Sequence, residues 1–387
     1  MNSPLSPDLR GRSLGRRQFI GRGLALGGAV ALGPSLLTAC GSDDDPGSSG
    51  GSGKSFKLAT WVFYIDGDDA NPQDAPTIKA FTAKTGIKVD YTVDVDDNSS
   101  FTSTVQPKLE AGDPTGYDLV VLTSWMCERW IRNGWAETLD DSKLPNKKNM
   151  NSRLQNPSWD PNRAHTLPWA EGQVGIAYYP DEVGFEMTDV KDLLDDRVKG
   201  KVTILSEMRD TLGMFMLSQG MDPATASVDD AKKALEAIST ARDKGQFRKI
   251  TGNSYTDDLG SKDAIASLAW SGDVVALQAD NPDLKWVAPK AGQMTFVDTM
   301  LVPKGAEHAA EAHEWMNYLY DPKVSGPLFE YISYVSPVEG AVDEMSAEAQ
   351  KNPLINPPAS SKLVDFRILT EAEADDLENA FSQATQL

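Results

Sequence analysis

Short apolar runs alternate with amphipathic stretches along the chain from residue 55 onward. Apolar runs of strand length occupy residues 55–61, 87–93 and 119–122. Residues 77–85 and 125–133 carry apolar positions at the three-to-four-residue spacing of a helix that packs on one face. This alternation of strands and helices predicts an open α/β sheet, in which ligands bind beyond the carboxyl ends of the strands.

The second half of the chain continues the alternation around two long β-rich segments. Residues 167–179 and 294–303 are interpreted as strands that cross from a first domain into a second domain and back. Between and after them, the pattern predicts strands at 201–205, 264–269, 274–279 and 285–288, and helices at 211–219, 227–243 and 309–319.

Asp298 is the one residue that does not fit segment 294–303, whose other residues are apolar or β-branched. An unpaired buried carboxylate costs several kcal/mol or more, so Asp298 is expected to have a partner. Phe296 lies two residues away and therefore on the same face of the strand. A ring and a carboxylate that project together favour an organic cation. The alternative, from this residue alone, is a structural Asp with a backbone or arginine partner.

Residues 1–39 are predicted to be a signal peptide, because a basic start precedes an apolar run and a small-residue cleavage site. The segment RRQFI, which begins with Arg16 and Arg17, resembles the twin-arginine export signal. The segment LTAC, which ends at Cys40, resembles the lipobox of bacterial lipoproteins. This resemblance implies that Cys40 is lipidated and anchors the protein to the membrane. The alternative is a transmembrane helix that is retained.

Residues 40–54 are rich in Gly and Ser and are predicted to be a flexible, lipid-anchored linker. The chain of 387 residues is long enough for two domains beyond this linker. Its formal net charge of −20 disfavours nucleic acid as a partner and favours cations. With Cys40 lipidated, Cys127 has no partner for an internal disulfide and is interpreted as a packing residue.

Few residues in the sequence are suited to catalysis. The three histidines, His165, His308 and His313, are not part of a hydrolase, zinc or phosphate-loop motif. The acidic stretches 66–69 and 94–97 lack the spacing of a calcium-binding loop and are interpreted as solvated. We therefore expect no catalytic residues, no metal and no cofactor.

Residues suited to binding a cation are more numerous. Three acids that follow predicted strands or lie in them, Glu207, Asp210 and Asp298, recur near aromatic residues. The ammonium groups of a flexible polyamine bind carboxylates, and its methylene spacers pack on ring faces. The aromatic candidates are Trp61, Tyr64, Trp125, Trp270, Phe296 and Tyr334.

Six segments, at 60–66, 117–121, 207–210, 270–272, 296–299 and 334–337, stand in an order that resembles a known family. They are similar to the polyamine-binding (spermidine/putrescine) members of the bacterial extracellular solute-binding protein family. The resemblance implies two α/β lobes of the periplasmic-binding-protein type II fold, which close over a ligand and deliver it to an ABC importer. With the crossings above, it predicts lobe I at 55–171 and 296–342, and lobe II at 172–295 and 343–387.

The resemblance also assigns roles to individual residues. The aromatic box of the family falls on the six aromatic candidates, and its ammonium-binding acids fall on the three acids. Thr123 and Ser124 are expected on the loop that lines the same wall. Phe296 and Trp125 depart from the usual Trp and Tyr, and Arg367 stands where a glutamine that reaches the ligand is typical. Arg367 would repel an ammonium unless it turns away or pairs with an acid.

The sequence therefore predicts a monomeric, membrane-anchored, extracytoplasmic receptor for a polyamine. The alternative in the same class is a receptor for a neutral or zwitterionic solute, such as a sugar or an amino-acid-like amine. A secreted hydrolase or an adhesion lipoprotein is the alternative from a different class.

Overall fold

The computed structural model describes residues 54–386, which form one compact unit from Ser55 onward. The predicted signal peptide with Arg16 and Arg17, the lipidation site Cys40 and most of the linker lie outside the described residues. Within residues 54–386, no helix is long and apolar enough to cross a membrane.

A mixed sheet of ten strands runs through the described chain. Its order is β2-β1-β3-β9-β4-β7-β5-β6, with β10 paired to β9 and β8 paired to β4. The strands are β1 Ser55–Ala59, β2 Lys88–Thr92, β3 Leu119–Thr123, β4 Thr166–Tyr178, β5 Val202–Leu205, β6 Phe247–Thr251, β7 Ala266–Trp270, β8 Lys285–Val287, β9 Gln293–Leu301 and β10 Leu363–Asp365.

Helices cover the sheet on both faces. They are α1 Pro76–Thr85, α2 Asn98–Ala111, α3 Ser124–Arg132, α4 Pro180–Val183, α5 Met208–Ser218, α6 Val228–Asp243, α7 Tyr255–Gly260, α8 Ser271–Gln278, α9 Ala309–Leu319, α10 Pro322–Ile332 and α11 Glu371–Thr385.

Strands β4 and β9 are the two crossing strands that the sequence predicts. The first part of β4 pairs with β9, and its second part pairs with β7 and β8. Strand β9 also pairs with β3 and β10, so it borders strands of both halves of the sheet. All thirteen residues of β4 are buried. Burial on both faces explains why the sequence of β4 reads as a continuous run rather than as a strict alternation.

The apolar side chains pack on either side of these crossings in separate clusters. One cluster contains Trp315 and Phe81 with β1 and β3, and another contains Leu212 and Tyr255 with β5 and β7. This arrangement fits the two-lobed fold. The residue boundaries given above for the lobes stay a prediction.

Several helix ends follow from local sequence. Helix α1 ends at Gly86, whose φ of 74° is the left-handed conformation that glycine adopts without a steric cost. Helix α6 begins after Ser227, whose side chain accepts a hydrogen bond from the Asp230 amide. Helix α11 begins with a reciprocal capping box between Thr370 and Glu373.

The prediction of a strand at 274–279 is wrong, because these residues lie within or just after helix α8. The apolar run there is short, and a short apolar run fits a buried helix as well as a buried strand. Val274 is fully buried in the interior of this helix. Helix α2 was not predicted, because its sequence is mostly polar and contains Pro107.

Cys127 packs in the interior, as the sequence predicts. Its side chain is fully buried, and its thiol donates a hydrogen bond to the Leu122 carbonyl oxygen at 3.4 Å. Burial raises the pKa of the Cys127 thiol well above its ordinary value, which disfavours the reactive thiolate.

Candidate functional site

Asp298 lies in β9 at the centre of the crossing region. Its cross-strand neighbours are Thr123 at the end of β3 and Ala170 in β4. The carboxylate is 4% exposed, and it accepts hydrogen bonds from the Tyr64 hydroxyl and, at 2.8 Å, from the Thr123 hydroxyl. The expected partners are thus two hydroxyl groups, rather than a backbone group or an arginine.

The two hydroxyl groups donate hydrogen bonds to the Asp298 carboxylate but do not neutralise its charge. Burial raises the pKa of Asp298 to about 6, although the hydrogen bonds from Tyr64 and Thr123 oppose the shift. Burial and the nearby Asp298 also raise the pKa of Tyr64 well above its ordinary value, so Tyr64 stays a hydroxyl donor. A cation that binds beside Asp298 would therefore stabilise the ionised form of its carboxylate.

Thr123 and Ser124 lie where β3 ends and α3 begins, and their side chains form hydrogen bonds with β9. The Asn98 side-chain nitrogen donates to the Thr123 hydroxyl oxygen at 3.0 Å, which orients the hydroxyl that donates to Asp298. The Ser124 hydroxyl donates to the Val297 carbonyl oxygen at 2.8 Å. Thr123 therefore contacts the acid of the site directly, whereas Ser124 holds the wall in place.

Asp210, in the first turn of α5, is the second buried acid. It is 6% exposed, and its carboxylate accepts a hydrogen bond from the Trp270 indole nitrogen at 2.7 Å. Burial, followed by repulsion from Glu207, raises the pKa of Asp210 to about 8. The charge of Asp298 contributes to the same shift, so the two acids act on each other across the site.

Glu207 precedes α5 as its N-cap residue. Its carboxylate accepts from the Arg209 amide at 3.3 Å and lies 3.9 Å from the Arg209 guanidinium. Burial raises the pKa of Glu207, while the charge of Arg209 opposes the shift. Glu207 is therefore the acid of the three that already has a cation beside it.

Aromatic side chains lie near each of the two buried acids. Tyr64 stacks on Trp169, with 6.3 Å between ring centroids, and meets Tyr334 edge-on at 5.5 Å. Phe296 also meets Tyr334 edge-on, at 6.2 Å. Trp270 lies beside the other acid, because its indole nitrogen donates a hydrogen bond to Asp210.

Two glycines make room for these rings. A Cβ atom on Gly172, which faces Phe296 across the β4–β9 pair, would overlap the Phe296 ring. A Cβ atom on Gly272, at the start of α8, would overlap the Tyr334 ring. The absence of a side chain at both positions is thus required by the position of the rings.

Trp61 and Trp125 stand apart from this ring cluster. Trp61 is half-buried against the apolar core, and its buried indole nitrogen has no hydrogen-bond partner among residues 54–386. Trp125, in the first turn of α3, lies beneath the Arg209 guanidinium, 3.8 Å from the ring centroid.

Sequence reasoning did not give roles to Arg209 or Trp169. Arg209 lies within the segment 207–210 that carries the family resemblance, so a signal was present. Trp169 lies in the first crossing strand, where its fully buried ring reads as ordinary core.

Arg367 lies just before α11 and pairs with an acid, one of the two outcomes that the sequence left open. Its guanidinium contacts Glu373 at 2.8 and 3.2 Å and donates to the Ala226 carbonyl oxygen at 2.9 Å. A role for Arg367 in the site stays a prediction.

Within residues 54–386, no cluster of His, Cys, Asp or Glu side chains is arranged to hold a metal ion. The acidic stretches at 66–69 and 94–97 make local hydrogen bonds. Asp66 accepts from Thr77 at 2.8 Å, and Asp94 accepts from the Tyr117 hydroxyl at 2.9 Å.

The fold and the site define a two-lobed solute-binding protein with acids and aromatic rings at the crossing strands. The family model for bacterial extracellular solute-binding proteins matches residues 77–357. The chain belongs to this family.

Two relatives illustrate the similarity in sequence. The putrescine-binding periplasmic protein PotF of Escherichia coli (strain K12) is 30% identical over 335 residues, which cover 81% of this chain and 86% of that protein. The spermidine/putrescine-binding periplasmic protein 1 of Haemophilus influenzae is 26% identical over 329 residues, covering 84% of this chain and 87% of that protein.

Solved structures share the fold. A putative spermidine/putrescine ABC transporter from Listeria monocytogenes has a TM-score of 0.74 at 23% identity, covering 86% of this chain and 98% of that chain. The Atu4243-GABA receptor has a TM-score of 0.68 at 16% identity, covering 86% of this chain and 98% of that chain.

Proposed function

We propose that this protein is an extracytoplasmic receptor for a polyamine of the putrescine and spermidine class, which it delivers to an ABC importer. The observation that carries the proposal is the pair of buried carboxylates, Asp298 and Asp210, whose hydrogen-bond partners are hydroxyl and indole groups rather than cations. A ligand with separated ammonium groups supplies the missing positive charges, and its methylene chain fits the rings between the acids.

The relatives support the same ligand class. The names of PotF and of the Haemophilus influenzae protein specify putrescine and spermidine/putrescine binding. These names are those of binding proteins, and we propose that this chain, too, binds its ligand without converting it.

The expected interactions are sufficient for useful affinity. A cation on an aromatic face contributes about 0.5 to 2 kcal/mol, and a charge-assisted hydrogen bond about 1.5 to 3 kcal/mol. Two ammonium groups, each with a carboxylate and a ring, therefore contribute roughly 4 to 10 kcal/mol, a range that includes the roughly 8 kcal/mol of micromolar binding.

Calorimetry of the mature protein with putrescine and spermidine tests this function. We expect binding of at least one of them at micromolar concentration or below. The variant Asp298→Asn should lose most of the affinity for a diamine, because the amide cannot neutralise an ammonium group. Absence of both heat and thermal stabilisation with either polyamine would reject the proposal.

We further propose export through the twin-arginine route and anchoring through a lipid on Cys40, with a monomeric receptor outside the membrane. The motifs at Arg16–Arg17 and Cys40 support this proposal. Labelling with a radioactive fatty acid should mark the full-length protein but not the Cys40→Ala variant. Equal labelling of both proteins would contradict the assignment of the anchor.

A zwitterionic amine is the second candidate ligand, and Arg209 is the observation that favours it. A guanidinium near the buried acids offers a partner for a ligand carboxylate. Calorimetry with γ-aminobutyrate separates the candidates. Tighter binding of this zwitterion than of any polyamine would replace the proposed ligand class.

A further inference from the structure

Arg209 is a cation that the chain itself supplies to the acidic site. Although the residue is only 8% exposed, it retains charged partners. Its guanidinium lies 3.9 Å from Glu207 and 3.5 Å from Glu378 in α11. The Arg209 side chain is therefore held from two sides by acids.

The third neighbour of Arg209 is the aromatic ring of Trp125. The guanidinium carbon lies 3.8 Å from the centroid of this ring, within the range of a stacked cation–π pair. Arg129 lies 5.8 Å from the same ring. The side chain of Trp125 thus already contacts cations of the protein.

This arrangement divides the three acids of the site into two kinds. Asp298 and Asp210 have neutral hydrogen-bond donors, whereas Glu207 has the Arg209 guanidinium beside it. Asp298 and Asp210 are therefore the two of these three acids that remain for the ammonium groups of a ligand. A diamine carries two positive charges at neutral pH, and a triamine carries three.

We propose that Arg209 is a built-in cation that fills the Trp125 and Glu207 end of the site and thereby selects ligands with two ammonium groups over ligands with three. This inference rests on the proposed function, since it presupposes a polyamine ligand. A third ammonium directed toward Trp125 would meet the guanidinium at close range, and Glu207 already has this guanidinium beside it.

Removal of the cation should change the order of ligand affinity. In Arg209→Met an unbranched apolar side chain replaces the guanidinium, so Glu207 and the face of Trp125 become available to a third ammonium. We expect the wild-type protein to bind putrescine at least tenfold more tightly than spermidine. The variant should shift this affinity ratio at least tenfold toward spermidine.

The variant Arg209→Lys separates charge from packing. Lysine keeps the positive charge but not the planar stacking, so it should keep the preference for putrescine. The matched control is Arg197→Met, because Arg197 also stacks on a ring, Phe185 at 3.7 Å, and pairs with an acid, Asp195 at 2.7 Å, in a different part of the chain. This control should leave the putrescine-to-spermidine ratio unchanged.

Calorimetric titration of the wild type and the three variants with both polyamines decides the inference. A wild-type preference for spermidine, or an Arg209→Met ratio equal to that of the wild type, overturns it while leaving the proposed function intact. If the wild type binds neither polyamine, the proposed function fails and the inference fails with it. If Arg209→Met does not fold, the putrescine-to-spermidine affinity ratios of the wild type and of Arg209→Lys test the inference. Loss of the preference for putrescine in either protein would then overturn it.

Discussion

Ligand binding should release protons near neutral pH and weaken steeply below it. In the unliganded site, burial raises the pKa of Asp210 to about 8 and that of Asp298 to about 6. A bound ammonium group requires the ionised form of each carboxylate. Protons on these two acids therefore compete with the ligand.

The magnitude follows from the two pKa values. At pH 7, Asp210 is mostly protonated and Asp298 mostly ionised, so the site holds about one proton that the ligand must displace. Between pH 8 and pH 6 the apparent affinity should fall about a hundredfold, because Asp210 becomes fully protonated and Asp298 half protonated.

Calorimetry at pH 7 in phosphate and in Tris measures the released protons, since these buffers differ in their heat of ionisation. The apparent enthalpy should differ between the buffers by the amount expected for about one released proton. In Asp210→Asn this difference should nearly vanish. Equal enthalpies for the wild type in both buffers, with constant affinity between pH 8 and pH 6, would refute the reasoning.

Three further predictions concern the walls of the site. Gly172→Ala should lower the ligand affinity measured by calorimetry at least tenfold, because the added Cβ would overlap the Phe296 ring. The control Gly260→Ala should leave the affinity unchanged, because its Cβ would lie 3.8 Å from the nearest atom. The free energy of unfolding in urea, taken as wild type minus Asp298→Asn, should fall by roughly 2 kcal/mol from pH 4 to pH 7, because the raised folded-state pKa lets protons stabilise the native state. A constant difference would contradict this prediction. Arg367→Gln should leave ligand affinity nearly unchanged, because the Arg367 guanidinium forms an ion pair with Glu373. A tenfold change in affinity would instead support the predicted role of Arg367 in ligand binding.

Strand β9 illustrates how far local sequence carried the prediction. Its run of apolar and β-branched residues, with Asp298 as the one charged residue, was enough to predict a buried crossing strand with a carboxylate in need of partners. The order of strands and helices was also largely predictable, because side-chain periodicity differs between the two kinds of element. The helix α8 was missed because the apolar run at 274–279 has only six residues, too few for that periodicity to become distinct.

The sequence by itself determined the class of fold and supplied the candidate acids and rings of the site, since each follows from local pattern or from the order of short motifs. Only the tertiary structure decided which acid has which partner. Asp298 meets Tyr64, and Arg209 meets Trp125, across separations that no local pattern records. Hydrogen bonds and cation–π contacts depend on distances of a few ångströms between elements far apart in the chain, and those distances exist only once the sheet has assembled.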